Sequence, residues 1–141
     1  MKPTILALAA VVAATGMIAA RKPPEPSNLP PPPPSGASLE KGQCLRSHEI
    51  RGHTVVDKQT MLLGSNRREV YRVTFKGACL AGAVSSDPII TEQRTGSDLV
   101  CRPLDFDIAI SKGGIASPCI VDSIIKLTAE QASALPPRLR P

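Results

Sequence analysis

Four cysteines, Cys44, Cys79, Cys101 and Cys119, have the widest chemical range of any side chains in this chain. Cysteine can bridge, bind a soft metal or act as a nucleophile, and spacing discriminates among these uses. No two of them form a Cys-x-x-Cys pair, so neither a thioredoxin-type redox motif nor a zinc ribbon is indicated. Two structural disulfides in a small exported domain are the expected use. Spacing leaves all three pairings open. The preferred one joins Cys79 to Cys101 at the ends of two strands, and Cys44 to Cys119, tying the start of the domain to its last strand. A hairpin centred on Gly113-Gly114 would set Cys101 opposite Lys126 and Cys119 opposite Ile108, too far apart for Cys101 and Cys119 to bridge directly.

The other reactive residues give weaker patterns. His48 and His53 are five apart, on opposite faces of an ideal strand, and make a metal site only if distant residues join them. A thiol-redox or metal-binding protein using cysteines with His48 or His53 is therefore the alternative reading. Asp105 and Asp107 would share a strand face, where they could act as paired carboxylates or bind a cation, although a solvated face is the simpler account. The chain has no Gly-x-Ser-x-Gly elbow, phosphate-binding glycine loop, dinucleotide fingerprint or calcium loop. The expectation is a protein that is not an enzyme and takes no cofactor.

Charge offers the one hint about partners. The chain has 17 basic and 12 acidic residues, a formal balance of +5. Cations are concentrated before Leu80, where Arg67 and Arg68 occupy a turn and Arg72 and Lys76 fall on the outward positions of the next strand. Those four could form a basic face for an anionic envelope glycan, a lipid head group or an acidic protein. Nucleic acid is not expected, because the domain reads as exported and lacks exposed aromatic stacking residues near those cations.

The elements that would position these residues read as strands. Tyr71, Val73 and Phe75 alternate with Arg72, Thr74 and Lys76, and Phe106, Ile108 and Ile110 alternate with Asp105, Asp107, Ala109 and Ser111. Further β-rich runs are Val55-Val56, Thr60 to Leu63, Ile89 to Gln93, Leu99 to Cys101 and Ile120 to Ile125, with turns at Asp57-Lys58-Gln59, Ser65-Asn66 and Gly113-Gly114. Thr128 and Gln131 have capping-box spacing, which predicts one short helix before Pro136-Pro137. The fold expected is mainly β, a small antiparallel barrel or sandwich of about five to seven short strands with one short C-terminal helix, stapled by disulfides.

The N-terminus sets the compartment. Lys2 precedes a run from Ile5 to Ala20 without a charged side chain, which ends in the small residues Ala19 and Ala20 before Arg21 and reads as a secretory signal peptide over 1–20. No cysteine near its end marks a lipoprotein. The protein is expected in the periplasm or outside the cell, with an N-terminally membrane-anchored form as the alternative; a cleaved signal leaves no stable transmembrane segment. Residues 21–39 are rich in proline and predict a flexible or polyproline II linker, on the order of 35 to 40 Å long from Pro23 to Pro34. Residues 40–141 then form a single small domain.

Taken together, Cys44, the run Val55-Val56-Asp57-Lys58-Gln59-Thr60, Tyr71-Arg72 before Cys79-Leu80, Val100-Cys101-Arg102, Cys119 and Leu127-Thr128-Ala129-Glu130 resemble a family of small exported four-cysteine bacterial proteins known as a domain of unknown function. The resemblance runs from Cys44 to Leu135. It departs from the family pattern at Cys79-Leu80-Ala81-Gly82 and at Cys101-Arg102-Pro103-Leu104-Asp105, both loops beside cysteines. It implies a fold and an exported location, and no catalytic residues.

Overall fold

A computed structural model describes residues 29–93 and 96–141. The signal-peptide reading of residues 1–20 and the first part of the proline-rich segment lie outside the described residues. Within them the protein is mainly β, with nine short strands in three antiparallel sheets and one short helix.

The largest sheet contains β2 (Ile50–Val55), β3 (Thr60–Ser65), β4 (Val70–Phe75) and β9 (Val121–Lys126), in the order β2-β3-β4-β9. Asp57 makes the first turn: its Oδ1 accepts from the Gln59 and Thr60 amides at 2.7 and 2.8 Å, a local bond that stops β2 and starts β3. A second sheet contains β5 (Ile89–Gln93), β7 (Phe106–Lys112) and β8 (Ile115–Cys119), in the order β5-β7-β8. Gly113 and Gly114 join β7 to β8 with φ of 58° and 84°, the left-handed pair a two-residue hairpin turn requires. β1 (Leu45–Arg46) and β6 (Leu99–Val100) form a two-stranded ribbon.

The two larger sheets share one core. Met61, Leu63, Tyr71, Val73 and Ile124 meet Phe106, Ile108 and Ile110 there, closed off by Leu45, Leu80 and Val100. The period-two alternation of β4 and β7 encodes this face. β3 has no such alternation, and all six of its residues are buried, because the four-stranded sheet is covered on both sides. A second cluster behind it joins Leu62 to Leu127, Leu135 and Leu139, with Leu29 and Ile125 at its edge. The capping box holds the helix α1 (Ala129–Ser133) at this outer layer: Thr128 Oγ1 accepts from the Gln131 amide at 3.2 Å, and Gln131 Oε1 accepts from the Thr128 amide at 2.9 Å. Pro141 then lies against Gly52 and Gly64, which face each other in the β2–β3 register; a Cβ on Gly64 would come within 3.2 Å of the Pro141 ring.

The proline-rich segment, where described, is laid on this sheet instead of standing away from it. Arg72 Nη1 donates to the carbonyls of Pro30 at 2.6 Å and Pro31 at 3.3 Å. Ser35 Oγ donates to Asp122 Oδ1, the Gly36 amide to the Asp122 carbonyl, and the Ile124 amide to the Ala37 carbonyl. Prolines cannot donate, so Pro30 and Pro31 are held through their carbonyls, and the donors come from Ser35 and Gly36 beyond the proline run.

The disulfides differ from the expected pairing. They join Cys44 to Cys101 and Cys79 to Cys119, with Cα separations of 4.5 and 5.7 Å. The ribbon explains the first: Leu45 pairs with Val100, so Cys44, one residue before, comes opposite Cys101, one residue after. The second follows from the corner between β8 and β9, where Phe75 pairs with Val121 and the Lys76 amide donates to the Ile120 carbonyl, bringing the turn that carries Cys79 beside Cys119. Cys119 does pair with Ile108, as the hairpin geometry required.

Candidate functional site

The expected basic face is not assembled. Arg72 does lie opposite the core-facing side of β4, but it is only 6% exposed beneath the proline segment, and burial lowers its pKa. Arg67 donates to Glu49 Oε1 at 2.8 Å. Arg68 sits in the β3–β4 turn at a φ of 62°, and Lys76 is exposed beyond the opposite end of β4, a strand about 20 Å long. The physical reason is the second apolar layer: the face that alternation assigns to solvent carries Leu62 and Ile125 beside Arg72, and the chain covers it.

The histidines and aspartates are also dispersed. His48 lies in a short 3-10 turn over Ser47–Glu49, with Nδ1 2.9 Å from Asp98 Oδ2. Arg46 also donates to Asp98, and this bond is the main cause of that carboxyl's lowered pKa. His53 is on β2, half-buried; desolvation lowers its pKa, partly opposed by Asp87. Asp105 is not on the strand with Asp107. It ends a 3-10 turn over Pro103–Asp105, accepting from the Arg102 guanidinium at 2.8 Å and from the Arg102 and Cys101 amides. The Arg102 bond depresses its pKa against the opposing effect of burial. Asp105 therefore supports a loop. Among the described residues, no group of three or more His, Cys, Asp or Glu side chains converges on a point that could hold a metal ion.

A concavity lies elsewhere, on the outward side of the β5-β7-β8 sheet. It is a groove of about 630 Å³ whose wall includes Ile90, Leu104, Ala109 and Ile120 together with Glu92 and Asp107. The register accounts for it. Phe106, Ile108 and Ile110 of β7 point into the core, so Asp107 and Ala109 point out, opposite Glu92 and Ile90 of β5. Pro118 on the edge strand β8 extends this row beside Ala109, where proline's missing donor costs no ladder bond. Ile120 is the corner residue between β8 and β9, and Leu104 is the middle residue of the turn that Asp105 and Arg102 brace. Leu104 is 75% exposed, Ile120 68% and Ile90 43%.

None of these groove residues has a motif that marks it. A signal was present in the alternation of β5 and β7, whose outward positions carry isoleucine and alanine beside the acids. Leu104 and Ile120 are supplied by a loop and a corner, which periodicity does not describe.

A mainly β domain with two disulfides, one strapped and twice-covered sheet and one open groove defines a small stapled module. The chain belongs to the family of unknown function DUF6491, whose model matches residues 1–140. No curated protein and no solved structure matches it.

Proposed function

We propose that this protein is an exported, non-catalytic module that works by binding, and that its binding surface is the groove on the outward side of the β5-β7-β8 sheet. The observation that carries this reading is the grouping of Ile90, Leu104 and Ile120, three large apolar side chains left in solvent, around a concavity of the size that ligands occupy. Export is supported by the closure of all four cysteines into disulfides, which persist in oxidising compartments. No helix among the described residues is long and apolar enough to cross a membrane. A thiol or metal function would require opening a disulfide, and the dispersed His48 and His53 add no ligand cluster to it.

The test is an amide-resolved NMR titration of the oxidised protein with a neutral apolar probe, benzyl alcohol. Saturable shifts confined to the groove around Ile90, Leu104 and Ile120 are expected, and Leu104→Ser, at an exposed position, reduces them while leaving the rest of the spectrum in place. Shifts spread evenly over the surface, or none up to solubility, would refute the groove as a binding surface.

A further inference from the structure

We infer that the outer face of the four-stranded sheet is a second binding site, closed in this protein by its own proline strap, and that its ligand is a proline-rich segment of another protein with the pattern apolar-Pro-x-x-Pro. The site is separate from the groove, and the inference does not depend on the groove reading.

The strap itself shows what the face recognises. Leu29, Pro30 and Pro33 are half-buried, whereas Pro31, Pro32 and Pro34 are exposed. The inward prolines are three apart, the period of a polyproline II helix, so one edge of the segment meets the sheet. Leu29 packs against the cluster around Leu62. Arg72 stands between Leu62 and Ile125 in the cross-strand register and donates Nη1 to the carbonyls of Pro30 and Pro31. Grooves that take proline-rich ligands exploit the same properties, a segment that is extended before it binds and carbonyls free to accept; aliphatic side chains here take the place of an aromatic lining. The exposed positions 31, 32 and 34 leave the side chains there unread, which gives the pattern its two open places.

The strap is also placed to come away without the fold. The Ala37 amide donates to the Pro34 carbonyl at 3.1 Å, and Gly36 has a φ of 80°, so a turn separates residues 29–34 from the chain that follows. Beyond that turn the Ile124 amide donates to the Ala37 carbonyl, and Leu39 is buried with its amide bonded to the Cys101 carbonyl. Lifting residues 29–34 leaves these anchors in place and uncovers Arg72 with the apolar surface beside it. A ligand from outside then competes with a tethered segment of its own kind, whose high effective concentration keeps weak ligands out. A second copy of this chain brings a strap already seated on its own sheet, so the ligand is assigned to another protein.

The test is NMR titration of the full oxidised protein with three heptapeptides blocked at both ends: the strap's own Leu-Pro-Pro-Pro-Pro-Pro-Ser, and the isomers Leu-Pro-Ser-Ser-Pro-Ser-Ser and Leu-Ser-Pro-Pro-Ser-Ser-Ser. In the variant Leu29→Ser/Pro30→Ser/Pro33→Ser, whose strap has lost its inward side chains, the strap peptide is expected to shift the amides of Leu62, Arg72 and Ile125. The unaltered protein should bind it at least about tenfold more weakly, because its own strap competes. In the variant the first isomer should bind at least about threefold more tightly than the second, and adding Arg72→Met should weaken the strap peptide by about 3- to 30-fold. If the triple variant misfolds, Pro33→Ser alone carries the same comparisons with smaller differences. Equal binding of the two isomers overturns the proline spacing. Equal binding of the strap peptide to the unaltered protein and the variant, or no binding to a folded variant, overturns the closed site. A dimer that forms at high concentration and is lost in the triple variant makes the occupant the strap of a second copy and overturns the assignment to another protein.

Discussion

Removing either disulfide should cost a large part of this domain's stability, and the smaller loop should matter at least as much as the larger one. The bridges close sequence separations of 57 residues for Cys44–Cys101 and 40 for Cys79–Cys119. In the chain-entropy account each loop limits the unfolded chain by about 4 kcal/mol at 25 °C, and the two differ by only about 0.3 kcal/mol because the dependence on length is logarithmic. Location then decides the order. Cys119 is buried in the main core beside Ile108, so replacing it with alanine also leaves a void. Cys44 and Cys101 are partly exposed at the edge of the ribbon. The double variant Cys79→Ala/Cys119→Ala should lose about 4 to 5 kcal/mol, and Cys44→Ala/Cys101→Ala about 3 to 4 kcal/mol. Domains of this size have about 5 to 15 kcal/mol in total.

The assay is urea unfolding followed by circular dichroism, on protein whose pairing has first been mapped without reduction. Trypsin sites at Lys41, Arg46, Lys76, Arg94, Lys112 and Lys126 put each cysteine in its own peptide, so the two crosslinked masses identify the pairing directly. The urea slope should rise in both variants, because the unfolded chain expands when a loop is opened. A loss under about 1 kcal/mol in either variant would refute the reasoning from loop length. A crosslink between the Cys79 and Cys101 peptides would refute the register of the ribbon itself.

Three other perturbations test the layers around the sheet. Arg72→Met keeps the stem and removes the donors to Pro30 and Pro31, so proteolysis of the 29–35 segment should accelerate several-fold while the urea midpoint moves little, the lost bonds being offset by relief of a buried charge; unchanged cleavage would show that the strap is held elsewhere. Leu62→Ala, in the layer behind the sheet, should cost about 2 to 5 kcal/mol in urea unfolding, and a loss below about 1 kcal/mol would mean that layer is not packed. His53 has a folded pKa below its ordinary 6.5 and a buried Nε2 without a partner among the described residues, so the unfolded chain takes up its proton first. Stability is then fully present above pH 6.5 and declines as pH falls below it, and His53→Leu should flatten that part of the pH profile; an unchanged slope assigns it to other groups.

Legibility from sequence followed how far each element's own residues determine it. The inward faces of β4 and β7 were readable because Tyr71, Val73, Phe75, Phe106, Ile108 and Ile110 recur at period two, and Gly113-Gly114 and Thr128 with Gln131 are local devices that need no partner. β1 is two residues long and exists only because β6 lies beside it, so the Cys44–Cys101 bridge had no local signal. β8 was obscured by Pro118, which an edge strand tolerates. Arg72 was assigned to the correct side of its strand and the wrong environment. The unbroken apolar run Met61-Leu62-Leu63 in β3 was the available warning that this sheet is covered twice, since a strand with one wet face would alternate. The groove was missed for the same reason as the ribbon: Glu92 and Asp107 are 15 positions apart and become neighbours only through register.

The two outward faces of the protein contrast in a way that bears on its work. Behind the four-stranded sheet, Leu62, Ile125 and Arg72 are covered by the chain's own α1, C-terminal residues and proline strap, so apolar surface and a cation there are already satisfied internally. Outside the three-stranded sheet, Ile90, Leu104 and Ile120 are left in solvent around the groove, although the same chain had the means to cover a sheet. Open apolar surface around a concavity disfavours the free protein and is relieved by an occupant that covers it. The disulfides permit this arrangement. With about 4 kcal/mol from each bridge, a domain with one tyrosine, two phenylalanines and no tryptophan can leave one face of a sheet unsatisfied and still fold.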